Sequence, residues 1–198
     1  MIAVYLVRHA AAVPALAGDK GSEPGERRTA AQPASGAGEV PRVSDDDRPL
    51  TAKGRRKFRK VARAFASLGE PVTLVVTSPL PRAVQTAELF ARGARCDEVA
   101  IAEALRPGRA PADALAEVRA LRAEAGATGG VALVGHEPSM SALVEALLGS
   151  KQPPLDFKKG AIFRFDADAL PPKKPAKFRW WLEPGSGERR SKLPRVEG

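Results

Sequence analysis

Three short apolar runs rich in β-branched residues punctuate the chain: "IAVYLV" at 2–7, "VTLVVT" at 72–77 and "VALV" at 131–134. None alternates with polar residues as a strand with one wet face would, so each reads as a strand covered on both sides. The stretches between them have helical spacing. In "RPLTAKGRRKFRKVARAFASLG", Phe58, Val61, Ala62, Phe65 and Leu68 fall on one face, with Thr51 placed to cap and Gly69 to stop. "SPLPRAVQTAELFARG" follows the second run, with Ser78 as cap, prolines in the first turn and Gly93 as terminator. "ADALAEVRALRAEAG" (112–126) and "SMSALVEALLG" (139–149) supply two more helices. Strands alternating with helices in this way predict an α/β domain built on a largely parallel sheet.

Two late segments, "AIFRFDA" and "KFRWWLE", read as closing strands joined by "DALPPKKPA". Trp180 and Trp181 should then face opposite sides, one in the core and the other half exposed. From Pro14 to Asp47 the pattern is lost: 19 of these 34 residues are Ala, Gly, Pro, Ser or Thr, and only Leu16, Val40 and Val43 are large and apolar. Such a segment cannot bury enough surface to offset the entropy of ordering it, and it reads as a flexible insertion. A functional lid and a neutral loop are both open readings of it. At 198 residues one domain is expected, spanning 1–185, with a basic tail at 186–198.

The formal charge of +9 is uneven: residues 151–198 hold 12 Lys and Arg against 6 acidic residues, and the first 150 hold 20 against 17. A polyanionic or phosphorylated partner and a solvated basic surface both fit that bias, and nucleic acid is not expected. Cys96 is the single cysteine, which excludes an intrachain disulfide and a thiolate metal cluster. The N-terminus lacks the pattern of a secretory signal, and no apolar run approaches the length needed to cross a bilayer, so no membrane association and cytoplasmic residence are expected.

Parallel α/β sheets bind ligands beyond the carboxyl ends of their strands. The first strand runs into Arg8 and His9, the second into Ser78, Pro79 and Arg82, and the third into Gly135, His136, Glu137 and Pro138. Both histidines of the chain therefore leave strand ends on one sheet edge. Two arginines join them, with helix N-termini after Ser78 and Pro138 whose free N–H groups attract anions. Arginine suits forked hydrogen bonding to phosphate, so the composite predicts a phosphoryl site. A neutral imidazole can attack phosphorus directly, with His9 as nucleophile and Arg8, Arg82 and His136 around the phosphoryl oxygens. No carboxylate cluster with metal-ligand spacing is present, and no cofactor is expected.

The motifs "LVRHA", "SPLPRAVQTAE" and "LVGHEP", in that order, resemble the histidine phosphatase superfamily, whose members carry "RHG", "SPxxRAxQTA" and a later "GH". "RPLTAKGRRK" is similar to the family's "LTxxGxxQ" region, with Lys57 where Gln is common. The short length, the "D..RPLT" segment and "FKKGAIFRF" resemble the SixA-type phosphohistidine phosphatases. That resemblance implies a three-layer α/β/α, phosphoglycerate mutase-like fold with one antiparallel strand in a mostly parallel sheet. It also implies His9 as nucleophile, Arg8, Arg82 and His136 as phosphate-binding groups, and Ser78 beside them at the substrate. Two departures stand out: Ala10 replaces the common Gly, and Ala11 stands where many members carry an acidic residue.

Members acting on alkyl phosphates protonate the leaving alkoxide with a carboxylic acid placed after the second helix. Glu103 is the candidate here, with Asp113 and Glu137 behind it. A phosphohistidine substrate needs less help, since imidazole is a better leaving group. The expected activity is a metal-independent phosphatase of phosphohistidine in a protein, working through a phosphohistidine intermediate. The alternatives are a phosphatase of small phosphate esters and a non-catalytic phosphate- or polyanion-binding module. The expected partner is thus a phosphorylated protein or a small phosphorylated molecule; the sequence leaves the oligomeric state open.

Overall fold

The computed structural model describes residues 1–15 and 44–196; most of the 14–47 insertion, residues 16–43, lies outside them. Among the described residues seven strands form one sheet, lying side by side in the order β3 (Val99–Ile101), β2 (Val72–Thr77), β4 (Gly130–Gly135), β1 (Ile2–Arg8), β5 (Ile162–Ala167), β6 (Lys177–Leu182) and β7 (Arg189–Arg190). The three apolar runs become β1 (Ile2–Arg8), β2 (Val72–Thr77) and β4 (Gly130–Gly135), mutually parallel at the centre of the sheet. Beside β2 runs a three-residue parallel strand, β3 (Val99–Ile101). On the other flank β5 (Ile162–Ala167) is antiparallel to β1, and β6 (Lys177–Leu182) is antiparallel to β5.

Side chains alternate along each central strand, and the two sets enter separate cores. Val4 and Leu6 of β1, with Leu74, Val76, Val131 and Leu133, pack under α3 (Pro111–Glu124) and α4 (Ser139–Leu148). Tyr5, Val7, Val75, Ala132 and Val134 face α1 (Ala52–Ala66) and α2 (Pro81–Ala94) through Phe58, Phe65 and Phe90. The result is the three-layer α/β/α arrangement, with strands buried on both faces as continuous apolar runs require.

Thr51 caps α1 as expected, its Oγ accepting from Gly54 N at 2.9 Å. Gly93 does not end α2, which continues to Ala94 and stops at Arg95 in the left-handed region (φ 55°). Gly93 instead lets the two helices touch: a Cβ there would lie 2.9 Å from both the Cβ and the carbonyl oxygen of Ala62. Nor does Ser78 cap α2, because Leu80 holds that position without a side-chain bond.

The segment expected as a basic tail folds back onto the sheet. β7 (Arg189–Arg190) pairs with Trp181 and Leu182, Trp181 Nε1 donates to the Lys192 carbonyl at 2.9 Å, and Leu155 bridges Arg195. Both tryptophans are buried, each 5% exposed, rather than one core and one half exposed. Trp180 joins the α1/α2 core and Trp181 the opposite one.

Candidate active site

Strand register sets the site. Arg8 pairs with Gly135 and Thr77 with Val134, so the next residues in each chain segment, His9, His136 and Ser78, leave the sheet at one edge. His9 N donates to the Gly135 carbonyl at 3.0 Å and Ser78 N to the Val134 carbonyl at 3.0 Å, which carries the ladder one step past the strands. The first turn of α2 is tied to the same place. Ala10 N donates to Thr86 Oγ1 at 3.1 Å, and Thr86 Oγ1 donates to the Arg82 carbonyl at 2.6 Å.

His9 is 5% exposed, with Nδ1 2.7 Å from the Ala10 carbonyl oxygen. A carbonyl can only accept, so Nδ1 carries the proton and Nε2 keeps its lone pair. Burial above all, with Arg82, Arg8 and Lys159 adding to it against the Ala10 bond, brings the His9 pKa down to about 3. The imidazole is therefore neutral across the physiological range. The His136 ring lies 5.0 Å from it, centroid to centroid. Its Nε2 is bonded to Ser78 Oγ at 2.9 Å, and its Nδ1 is buried without a protein partner. Burial, then His9 and the arginines, push the His136 pKa down to about 2.

Cations surround this pair. Arg8 donates through Nη1 to the Phe157 carbonyl at 2.6 Å, while its Nε is buried without a partner. Arg82 is 3% exposed and grips Asp45 twice, donating from Nη1 to its carbonyl and from Nη2 to Oδ2 at 3.0 Å. Two further cations were not anticipated as site residues. Arg48 pairs with the other Asp45 oxygen at 2.6 Å and contributes to depressing His136. Lys159 has its own pKa lowered by burial and then by Arg8, Arg48 and Arg82. The signals were present in "D..RPLT" and "FKKG", but spacing alone does not say that either loop turns toward the strand ends.

Ser78 is fully buried, and its hydroxyl is taken up by His136 and the Leu80 amide, so it orients an imidazole rather than facing outward. Glu103 sits on a 3-10 turn (Glu103–Leu105) with its side chain 64% exposed and bound to Arg106 Nε at 2.7 Å. Asp113 is exposed in the first turn of α3. Glu137 is half-buried; burial pushes its carboxyl up, while Ser141 and Arg8 pull it down. No hydrogen bond joins any of these three carboxyls to either histidine. Among the described residues no group of three or more His, Cys, Asp or Glu could hold a metal ion, and no helix is long and apolar enough to cross a membrane.

Two neutral imidazoles lie at the carboxyl edge of a parallel sheet beside Arg8, Arg48, Arg82 and Lys159, an arrangement suited to a phosphoryl group and to the phosphatase class of enzyme. The family model of the histidine phosphatase superfamily (branch 1) matches residues 37–110. An uncharacterized protein of Picosynechococcus is 35% identical over 121 residues, covering 61% of this chain and 72% of its own. The chain belongs to the histidine phosphatase superfamily, and it is a phosphatase.

Solved structures agree on the fold. The protein histidine phosphatase SixA, complexed with tungstate, superposes with a TM-score of 0.67 at 23% identity, over 91% of this chain and 96% of its own. A mycobacterial glucosyl-3-phosphoglycerate phosphatase does so with 0.56 at 16% identity, over 90% and 97%.

Proposed function

We propose that this phosphatase hydrolyses phosphohistidine in a protein through a phosphohistidine of its own at His9. The observation that carries the nucleophile is the Nδ1–H bond to Ala10, which leaves Nε2 unprotonated. In the first step Nε2 attacks phosphorus and the P–N bond of the substrate breaks. In the second, water attacks the His9 phosphoramidate, releasing inorganic phosphate and restoring the imidazole. Arg8, Arg48 and Arg82 neutralise the phosphoryl oxygens, which supplies most of the stabilisation such transfers need. His136, oriented by Ser78, donates a further bond.

The surroundings favour a phosphoramidate over an alkyl ester. An alkoxide leaves only when protonated, yet Glu103 is turned into solvent on Arg106, and Asp45 is tied up in ion pairs with Arg48 and Arg82. A substrate imidazole that is protonated at its other nitrogen leaves neutral and needs no acid.

Rapid quench with a phosphohistidine peptide tests this reading. Wild-type protein should accumulate acid-labile phosphate on His9, and His9→Ala should trap none while losing at least about a thousandfold in kcat/KM. Faster turnover of small phosphomonoesters than of the peptide, abolished by Glu103→Gln, would instead establish an ester phosphatase.

A further inference from the structure

One face of α1 is a stripe of cations with no carboxylate paired to it among the described residues. Lys53, Arg56, Lys57, Lys60 and Arg63 recur at three- and four-residue spacing, all exposed, on a helix without an acidic residue. None lies within ion-pairing distance of a carboxylate among the described residues. Arg164, Arg179 and Arg190 elsewhere are paired, so the chain does supply carboxylates where cations are structural. Like charges at this spacing destabilise a helix, and no ion pair among the described residues offsets them here.

The stripe leads to the site. Lys57 and Lys159 line a cavity of about 140 Å³ whose wall is Ala10 and Ala11, the two residues after His9, and whose floor is Gly54 and Phe58. Lys159 also has no carboxylate partner among the described residues. The volume admits a carboxylate side chain and is small for a nucleotide. The stripe offers no exposed ring on which a base could stack, since Phe58 and Phe65 of α1 are each 1% exposed.

We propose that the α1 stripe and this cavity receive an acidic segment of the phosphorylated protein, one carboxylate side chain entering between Lys57 and Lys159 while the phosphoryl group lies at His9. The inference rests on the phosphohistidine-protein reading above and narrows its substrate to proteins with acidic residues around the modified histidine. Complementary charge of this kind acts chiefly on encounter and specificity, so it weakens as salt screens it.

The test uses two peptides with the same central phosphohistidine, flanked by glutamates in one and glutamines in the other. Wild-type kcat/KM should favour the acidic peptide by about tenfold or more at about 50 mM salt, and the advantage should shrink several-fold by about 500 mM. In Lys57→Glu/Lys60→Glu the ratio between peptides should fall to one or invert; being a ratio, it is insensitive to partial loss of folded enzyme. Equal turnover of both peptides by wild type overturns the acidic-segment inference and leaves the phosphohistidine reading standing. Turnover of neither, with p-nitrophenyl phosphate still cleaved, overturns both. Fluorescence anisotropy of the unphosphorylated peptides adds a readout independent of chemistry: the acidic one should bind more tightly, and tighter binding of a 20-mer oligothymidylate would overturn the choice of partner.

Discussion

Two charged clusters lie toward opposite ends of the central strands, and they are built on different terms. Toward the amino ends of β1 and β2, Arg164 pairs with Glu70 and with Asp166 at 3.2 Å, Arg179 pairs with Asp166 at 3.1 Å, and the Tyr5 hydroxyl donates to Glu70 at 3.0 Å. Two arginines there meet two carboxylates. At the carboxyl ends, Arg8, Arg48, Arg82 and Lys159 share one ion-paired carboxylate among the described residues, Asp45, and Arg8 has none of these within pairing distance. A balanced cluster repays its own desolvation; an excess of buried positive charge costs stability until an anion arrives. The first pins strands together, whereas the second is completed by substrate.

Matched truncations break the comparison most sharply. Arg82→Ala removes a phosphate ligand from a site already rich in cations, so kcat/KM should drop at least about a hundredfold while the urea midpoint changes little. Arg164→Met should do the opposite. It leaves the half-buried Glu70 and Asp166 with less compensation, lowering stability by about 1–3 kcal/mol while activity per folded molecule is retained. Loss of activity in Arg164→Met at full folding, or destabilisation by Arg82→Ala with normal turnover, would show that the two ends had been read the wrong way round.

Acid separates the clusters next. In the unfolded chain the histidines titrate near 6.5, and in the folded protein at about 3 for His9 and about 2 for His136. Below pH 6.5 the unfolded chain therefore binds more protons, and stability is lost as pH falls from 6.5 toward 3. Each histidine adds at most about 1.4 kcal/mol per pH unit in that window. Urea melts at pH 7 and pH 5 should show a smaller decline for His136→Asn than for wild type. The same shift keeps the His9 nucleophile unprotonated, so kcat/KM should have no acid limb near 6.5 that belongs to His9. A wild-type decline identical to that of His136→Asn would mean that His136 is not held neutral by the fold.

What could be read in the sequence follows the same divide. The apolar runs fixed β1, β2 and β4, because continuous burial leaves a pattern in adjacent residues. Once those strands were parallel, His9, Arg8, Arg82 and His136 had to meet at one edge. The misread residues are those whose role depends on a distant partner. Ser78 looks like a cap by position and serves His136 by contact, 58 residues away. Gly93 looks like a stop, yet its lack of a side chain is used by Ala62 across a helix interface. Trp180 and Trp181 do lie on opposite faces, but both are buried: Trp180 against Tyr5 and Phe65, and Trp181 against Lys192 of a returning segment that is invisible to periodicity. Arg48, which follows a run of aspartates, carries no sequence signal of its own, and its place beside Arg82 shows only through the Asp45 they share.

Asp45 is the one carboxylate among the described residues that pairs with the arginines of the pocket, and the smallest predicted effect concerns it. Its side chain is 40% exposed while that of Arg82 is 3% exposed, so when an oxyanion arrives it is the aspartate that can yield. Phosphate must then displace a carboxylate from two guanidinium groups at once. A partly exposed pair of this kind is worth about 1 kcal/mol or less, which limits the gain from removing it to a factor of about five. Asp45→Asn should therefore tighten competitive inhibition by inorganic phosphate two- to fivefold, with kcat little changed because the cations that stabilise the transferring group remain. The opposite sign is informative. Weaker phosphate inhibition together with a lower kcat would make Asp45 the residue that aims Arg82, and the imbalance of the pocket would then be tolerated by its geometry rather than relieved by substrate.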